Sequence, residues 1–480
     1  MFEKLFNKIR QVGNIITGTN YDNLEQTLEI NPMVSPEMKT KMNVWRNMYE
    51  DQSPWLSDTV SSLNISSYIS KEIALLTMLE LKSEIVSTKG NKNEKLLEYA
   101  NRQYQRLLGS LRIKLEEAQA VGGMIIKPYV NLNDGEIYFT FTMQDDFVPL
   151  AFDGNGKISD AIFVDKFVQN GNYFTRAERH KVLNDGTIQI THKCYCSSSS
   201  SILGTEVPLS MVEKWSNIEP ESYVKNANGE LFGYYKVALA NNVDEDSPLG
   251  VSIYSKAEKL IRDADEQYSR LKWEFEGGEL AVDVPPEALL PVNKTKVNTF
   301  TTPKLNKRLF RAVDLGVADN YNVFNPTLRD QSILNGLNAI YREIERLAGL
   351  ASGTLSDPSN VARTATELNI VKHTTAATIS DNQKAIQMAL EDVIRTIGVY
   401  INTYNLAPSG SIVGNFEWGD SILSDTDKEY QQKMELMSQG IISKAEIRAW
   451  YLGEDIEKSK EEIDKIKQNE PDEMKALFGE

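Results

Sequence analysis

The sequence predicts an α+β fold that is mainly helical. Apolar residues recur with a helical period along several long stretches, whereas residues 123–196 alternate with a period of two and carry turn signals. At 480 residues the chain is also too long for one ordinary domain, so we expect two to four structural units. No apolar run is long enough to span a membrane, and no transmembrane helix is predicted.

Helices are predicted for the N-terminal part of the chain. Residues 1–16 form a short basic amphipathic helix, which fits either a membrane-surface helix or, as we prefer, a helix packed on its own protein. Its apolar face consists of Phe2, Leu5, Phe6, Ile9 and Val12. Apolar spacing then predicts helices over residues 34–52, 56–86 and 93–120, the last ending at the glycine pair Gly122-Gly123.

A β-meander is predicted after these helices. Asn133-Asp134-Gly135, Asn170-Gly171 and Asn184-Asp185-Gly186 separate alternating stretches, and such sequences supply the positive φ angles of tight hairpins. Residues 152–158, FDGNGKI, have glycines spaced as in a phosphate-binding loop. They lack the strand–loop–helix context and the remaining motif residues, so we predict a turn there.

Two helices of similar length flank a non-helical excursion in the second half of the chain. The first helix is expected over residues 253–276, with an apolar stripe made of Ile253, Ala257, Leu260, Ala264, Tyr268, Leu271 and Phe275. The second is expected over residues 326–348, with a stripe made of Ile333, Leu337, Ile340, Ile344 and Leu347. The excursion, residues 280–325, carries several prolines and a basic cluster, which predicts a small mixed subdomain at the tip of an antiparallel helix pair.

A small, polar loop follows the second helix, in the stretch GLASGTLSDPSNVARTATELN (349–369). It is longer than a simple turn requires, and its Gly, Ser and Thr residues favour a deformable segment. A long helix is predicted after it, because no proline occurs from 359 to 407, and about 40 residues of helix span roughly 60 Å. The threonines of its first half favour a bend there.

Composition and motifs argue against several functional classes. The net charge of −16 and the absence of a strong basic patch argue against a protein that grips DNA. Two cysteines in THKCYC (191–196) indicate a reducing compartment, and His192, Cys194 and Cys196 are expected to share one face of a strand rather than bind a metal. With three histidines and no catalytic motif, neither an enzyme nor a cofactor is predicted.

Six stretches, in this order, give the chain its resemblance to a known family: VWRNMYEDQSPWL (44–56), AVGGMIIKPYV (120–130), DDFVPLAFDGNGKISDAIFVD (145–165), SPLGVSIYSKAEKLI (247–261), LAGLASGTLSD with RTATEL (347–368), and DSILSDTDKEYQQKMELMSQGIISKAEIRAW (420–450). With the helix–excursion–helix–loop–long helix layout, they resemble a tailed-bacteriophage portal protein of the type found in phages of Gram-positive hosts. The extended acidic tail departs from this pattern.

The resemblance implies an elongated subunit in a ring, usually of twelve copies, at one vertex of the capsid. Residues 1–250 and 364–419 would form the wing, the latter with a long kinked helix and a strand. Residues 251–279 and 326–348 would form the two-helix stem, 280–325 the clip, 349–363 the tunnel loop and 420–480 a helical crown. The protein would be assembled in the host cytoplasm and belong to the virion, with no membrane contact.

The same resemblance implies partners and site residues. The ring would dock the terminase large subunit and head-completion or adaptor proteins, contact capsid and scaffolding protein, and pass double-stranded DNA non-specifically during packaging and ejection. Partner binding by the clip is expected of Lys304, Lys307, Arg308 and Arg311. The tunnel-loop residues are Ala351, Ser352, Gly353, Thr354, Leu355, Ser356, Asp357, Pro358, Ser359 and Asn360. Twelve inner helices leave a bore of roughly 25 Å, where only small side chains suit a loop beside DNA.

Alternatives remain open at this stage. The loop could be an ordinary connection between helices, and Arg363 could contact DNA or, as we prefer, pair with Glu367 one turn away. The whole chain could instead be another oligomeric phage structural protein, a capsid or tail scaffold without a DNA channel. A nuclease or hydrolase acting through scattered carboxylates is the third possibility.

Overall fold

The computed structural model describes residues 19–88, 93–131, 134–245, 247–284, 309–312, 322–357, 365–419 and 426–468. The chain divides into two compact units, Met1–Trp418 and Gly419–Glu480. Helices and several sheets are both present, which confirms the predicted α+β class. The helix predicted over residues 1–16 lies outside the described residues.

The first elements of the large unit are α1 (Thr19–Leu28), α2 (Pro36–Tyr49), α3 (Ile65–Met78), β1 (Lys82–Ser87) and α4 (Glu94–Val121). The helices predicted over 34–52 and 93–120 are confirmed. Side chains of Ser35 and Asn93 cap α2 and α4, and Gly122, at φ 101°, ends α4. All three signals are local in the sequence, which is why both helices were predictable.

The helix predicted over residues 56–86 is wrong at both ends. Asn64 adopts a left-handed conformation (φ 53°), so helical geometry starts only at Ile65. Residues 82–87 form the strand β1, whose partner strand lies more than 320 residues further along the chain. Apolar spacing could not reveal this pairing, because it reports only on residues close in sequence.

The predicted β-meander is confirmed. Its strands are β2 (Gly123–Asn131), β3 (Glu136–Met143), β4 (Phe147–Phe152), β5 (Ile158–Gln169), β6 (Asn172–Val182), β7 (Ile188–Ser197), β8 (Thr205–Val207), β9 (Glu221–Val224) and β10 (Gly233–Lys236). One antiparallel sheet has the order β10-β2-β3, and another has the order β4-β5-β6-β7-β8, with β9 also on β7. Asn170 and Gly171 both have positive φ, as a two-residue hairpin requires.

Residues 152–158 are a turn, as predicted, in which Asp153 accepts hydrogen bonds from the N–H groups of Asn155 and Lys157.

A helix pair with a small sheet follows. Its elements are α5 (Glu258–Gly277), β11 (Ala281–Val284), β12 (Phe310–Ala312), β13 (Asn322–Phe324) and α6 (Asp330–Ala348). Strand β11 is central in the sheet, parallel to β12 and antiparallel to β13, so the expected non-helical excursion contains a mixed sheet. Helix α6 begins four residues after Pro326 rather than at it.

The large unit closes with α7 (Ala365–Tyr404) and β14 (Ile412–Glu417). At 40 residues, α7 confirms the predicted long helix of about 60 Å, while its bend stays a prediction. Ile386, Leu390 and Val393 of α7 belong to the main core, together with residues of α2 to α6 and of the β10-β2-β3 sheet. In the small unit, the described residues form the helices α8 (Thr426–Ser438), α9 (Lys444–Leu452) and α10 (Ile456–Gln468).

Candidate functional site

The helices α5 and α6 form an antiparallel pair. At the end next to the small sheet, Glu274 of α5 accepts hydrogen bonds from the N–H of Arg329 (2.8 Å) and from its guanidinium NH2 (2.7 Å). These bonds lower the pKa of Glu274. Near the other end, Ile344 and Ala348 of α6 are buried in the main core. The carboxylate of Glu274 therefore fixes the point at which α6 begins.

A buried acid on α5 holds an earlier loop along the helix. Asp265 is 2% exposed and accepts hydrogen bonds from the indole Nε1 of Trp55 and from the N–H of Leu63, both at 2.8 Å. Ser269 Oγ accepts a further bond from the N–H of Ser61. Burial raises the pKa of Asp265 despite these bonds. Asp265 and Ser269 thus attach the loop before α3 to α5. From the sequence alone, such polar side chains on a helix would be placed on its solvent-exposed face.

The apolar stripes expected on the pair are buried or partly buried except at Phe275, and several other apolar side chains of this region are exposed to solvent. Ala264 and Leu271 of α5 and Leu337 of α6 are buried, whereas Phe275, expected in the stripe, is 50% exposed. Trp273, which the stripe did not include, is 64% exposed. We call the exposed apolar group at this end of the pair the apolar tip. It consists of Trp273, Phe275, Leu280, Val323, Leu328 and Leu334.

The loop after α6 folds back onto the end of that helix. Gly349 ends α6 with φ 71°, and a Cβ added there would lie 2.2 Å from Thr378 Oγ1 of α7, so only glycine fits. The buried carboxylate of Glu345, 1% exposed, accepts hydrogen bonds from the N–H groups of Gly353, Leu355 and Ser356. Over residues 349–357 the loop is thus hydrogen-bonded to the helix, while the deformability that its composition favours stays a prediction.

Those predicted tunnel-loop residues that the structure describes lie close together. Ala351–Asp357 lie beside the last turns of α6, with Ser356 buried and the N–H of Asp357 bonded to Asn338 Oδ1 at 2.8 Å. Pro358, Ser359, Asn360 and Arg363 lie outside the described residues. Gly353 has φ 101°, so any other residue at this position strains the backbone.

Of the four predicted clip residues, the structure describes Arg311. Its Nε donates to Asp283 Oδ1 on the neighbouring strand β11 at 2.8 Å, and its guanidinium lies 4.5 Å from the ring centroid of Phe324. Arg311 therefore joins all three strands of the small sheet, while its side chain stays 45% exposed. Lys304, Lys307 and Arg308 lie outside the described residues.

The histidine–cysteine segment lies in β7, as expected. Cys194 is buried beside Trp215 and Val212, and burial raises the pKa of its thiol to about 11. Within the described residues, no group of three or more His, Cys, Asp or Glu side chains could hold a metal ion. Across the described ranges, none of the helices is long and apolar enough to cross a membrane.

The distinctive parts of the described structure are a helix pair, an exposed apolar tip and a loop bonded to a buried acid. The family model described as "Phage portal protein, SPP1 Gp6-like" matches residues 37–476. The chain therefore belongs to this family of phage portal proteins. The family is structural and not enzymatic, and the protein is a portal protein of the virion, at the capsid vertex.

Two solved structures resemble the chain at low identity. One is described as the virion of a native gene transfer agent particle, with 10% identity, a TM-score of 0.46, and coverage of 88% of this chain and 96% of that chain. The other is the neck of a native gene transfer agent particle computed with C12 symmetry, with 10% identity, a TM-score of 0.43 and the same coverage. Both TM-scores are too low to support any further statement about this chain. No curated protein matches the sequence.

Proposed function

We propose that the protein assembles into a closed ring, of twelve copies by its family resemblance, whose central channel carries DNA during packaging and ejection. The helix pair α5/α6 would be the stem of each subunit, and residues 280–325 the clip that docks the terminase large subunit and head-completion proteins. Residues 1–250 and 364–419 would form the wing towards capsid and scaffolding protein, and residues 420–480 the crown. Assembly would take place in the host cytoplasm.

The apolar tip is the observation that carries the proposal. Trp273 is 64% exposed, Val323 52% and Phe275 50%, which is unusual for large apolar side chains gathered at one end of a structure. A closed ring requires two different complementary patches on each subunit, because every copy meets its neighbours head to tail. The α5 side and the α6 side of the tip supply two such patches, and burial of an aromatic anchor stabilises an interface most.

The loop after α6 supports the channel part of the proposal. Residues 349–363 would line the bore, and Ala351, Ser352 and Gly353 are small enough to leave room for a duplex. Along 349–357 the one charged side chain is the acidic Asp357, which suits passage of DNA without retention. The net charge of −16 per subunit acts in the same direction.

Ring formation can be tested by removing the most exposed aromatic anchor. We expect wild-type protein to form rings at micromolar concentration, and Trp273→Ser to weaken them about tenfold or more, because an exposed apolar anchor is lost without disturbing the core. Ile202→Ser is the matched control, since Ile202 is 55% exposed but lies far from the tip in the sequence, between β7 and β8. Mass photometry over a dilution series measures the change.

Two outcomes count against this proposal. Wild-type protein that stays monomeric or dimeric at all concentrations and salt conditions contradicts the ring. Rings of Trp273→Ser that are as stable as wild-type rings contradict the role of the tip. Electron microscopy of the same sample separates a portal from an oligomeric phage scaffold without a DNA channel, because only the portal has a central bore that accommodates a duplex.

Partner docking at the clip has its own test. Changing both Lys304 and Lys307 to Glu should weaken binding of purified motor or adaptor protein while rings persist, because charge reversal at a docking surface opposes association. Lys384→Glu is the control, since this lysine of α7 is 72% exposed. Arg311 is left unchanged because it joins the strands of the small sheet. If the double variant and the control bound the partner equally well, Lys304 and Lys307 would be ordinary solvent-exposed lysines without a role in docking.

A further inference from the structure

We propose that Glu345 is the positioning residue of the loop after α6: it joins the last turns of α6 and residues Gly353–Ser356 into one rigid unit. The inference rests on the proposed function only where it concerns DNA, because the contacts that carry it lie within one subunit. In the ring, each subunit would hold its loop at a fixed distance from the channel axis through this carboxylate.

The carboxylate of Glu345 makes four hydrogen bonds to the loop. Its Oε1 accepts from the N–H groups of Leu355 (2.6 Å), Ser356 (2.7 Å) and Gly353 (3.1 Å). Its Oε2 accepts from the hydroxyl Oγ of Ser356 at 2.9 Å. Hydrogen bonds to an ionised acceptor are about twice as strong as those between neutral groups. Three backbone donors converge on one oxygen only when the chain curls tightly around it, which the positive φ of Gly353 permits.

The backbone of the same residue also closes the helix. The carbonyl oxygen of Glu345 accepts from the N–H of Gly349 and from the N–H of Leu350, at 2.8 Å for the latter. This is the six-to-one bond of a Schellman motif, and Leu350 is buried beside it. One residue therefore holds both the beginning of the loop, through its carbonyl, and the middle of the loop, through its side chain.

The buried carboxylate of Glu345 takes its hydrogen bonds from these loop donors. Among the described residues no lysine, arginine or histidine lies within ion-pair distance of it, and the neighbouring Arg346 pairs with Glu343 instead. A buried carboxylate without a cation needs hydrogen-bond donors to replace lost hydration. The loop conformation and the buried charge therefore stabilise each other, so a shift of the last turn of α6 would carry residues 353–356 with it.

Hydrogen–deuterium exchange of the full-length protein tests the inference directly. In Glu345→Ala we expect the amides in the peptide covering residues 350–357 to exchange about tenfold faster or more, since three of them lose their acceptor. In Glu345→Gln we expect a clearly smaller increase than in Glu345→Ala, because the neutral amide oxygen can still accept the same N–H groups, more weakly than a carboxylate, and the NH2 can donate to Ser356 Oγ. Glu343→Gln, on the same turn of α6 but 54% exposed, is the matched control.

Packaged DNA length per capsid, measured for the same variants, separates this inference from the proposed function. We expect shortened genomes with Glu345→Ala and full-length genomes with Glu345→Gln and Glu343→Gln. Fast exchange with full-length packaging in Glu345→Ala supports the positioning role and contradicts the channel assignment of the loop. Unchanged exchange in Glu345→Ala overturns the inference whatever the packaging result.

A second variant covers the case in which Glu345→Ala fails to fold. Ser356→Ala removes the hydroxyl bond to Oε2 and the bond that the N–H of Gly353 donates to Ser356 Oγ at 3.2 Å, and it leaves the buried acid and the three N–H bonds to Oε1 in place. We expect it to fold and to raise exchange across 353–356 by about two- to threefold, a smaller change than full loss of the acceptor. Exchange identical to wild type in Ser356→Ala, with Glu345→Ala unfolded, would assign Glu345 to general folding and overturn the positioning role.

Discussion

At the scale of single residues, one buried carboxylate connects two sheets of the large unit. Glu178 on β6 accepts hydrogen bonds from Lys127 Nζ of β2 at 2.6 Å and from His180 Nε2 at 2.7 Å. Arg176 contributes a second cationic contact at 3.2 Å. Burial opposes ionisation of Glu178, but these partners outweigh it and hold its pKa well below the ordinary value.

The neighbouring histidines predict acid sensitivity. Burial lowers the pKa of His192 from 6.5 to about 4, and it lowers the pKa of His180 as well. Between pH 6.5 and about 4 these two histidines thus bind more protons in the unfolded chain than in the folded chain, so their contribution to the free energy of unfolding falls as pH falls. Allowing for solvent screening at the partly exposed His192, we expect a loss of about 1–2 kcal/mol. Urea unfolding at several pH values measures it.

Substitution of His192 isolates its share of this effect. His192→Gln removes the titrating ring, so its free energy of unfolding should fall less steeply between pH 6.5 and about 4 than that of the wild type. His373→Gln is the control, because His373 on α7 is exposed. An unchanged pH slope in His192→Gln would assign the acid sensitivity to other groups.

Buried acids are also where sequence analysis failed at this scale. Glu345 stands among charged neighbours in YREIER, a pattern typical of a solvated helix face. Its burial depends on a loop that returns to the helix eight to eleven residues later, and Asp265 depends on Trp55 and Leu63, about 200 residues earlier. Neither contact has a signature in local spacing. The exposure of Trp273 and Phe275 was not predicted either, for a related reason. A periodic apolar stripe does not show where the contact between two helices ends.

At the scale of elements, helices and hairpins with local sequence signals were predicted correctly, whereas a strand that pairs with a remote segment was not. The glycine pair after α4, the Asn170-Gly171 hairpin and the absence of proline along α7 are signals within each element's own sequence, and each element that they predicted is present. Strand β1 was predicted as helix, because its partner β14 is remote in sequence. What makes residues 82–87 a strand is this partner on one edge and helix α4 on the other.

Asn101 on α4 provides that second edge, which leads to a prediction. Its Oδ1 accepts from the N–H of Ile85 and its Nδ2 donates to the carbonyl of Ile85, both at 2.8 Å, and Ile85 is 1% exposed. Asn101→Ala leaves both backbone groups buried without a partner, which should lower the free energy of unfolding by about 2 kcal/mol. Chemical denaturation measures the loss.

A neighbouring glutamine supplies the comparison. Gln105, one turn further along α4, donates to the carbonyl of Ser83 at 3.3 Å from an exposed position, so Gln105→Ala should cost less than about 0.5 kcal/mol. If both variants lost the same stability, the two bonds of Asn101 would contribute no more than a surface contact. Strand β1 would then depend on β14 alone.

At the scale of the whole molecule, charge and apolar surface act in opposite directions on assembly. Each subunit carries a net charge of −16, so neighbouring copies in a ring repel one another. In the proposed ring the apolar tip would attract them, and its contribution would depend little on ionic strength except that excluded salts strengthen apolar burial. The balance between the two effects is therefore set by the salt concentration, through a screening length of about 10 Å at 0.1 M.

This balance predicts rings that become more stable as salt is added. Raising NaCl from about 20 mM to about 300 mM shortens the screening length several-fold, so the ring fraction at fixed protein concentration should rise. Trp273→Ser should lower the ring fraction at every salt concentration and keep the same upward trend, because it removes apolar contact and leaves the charge unchanged. Mass photometry at matched protein concentrations measures both. Rings that dissociate as salt rises would mean that attractive charge pairs between subunits, rather than the apolar tip, hold the assembly together.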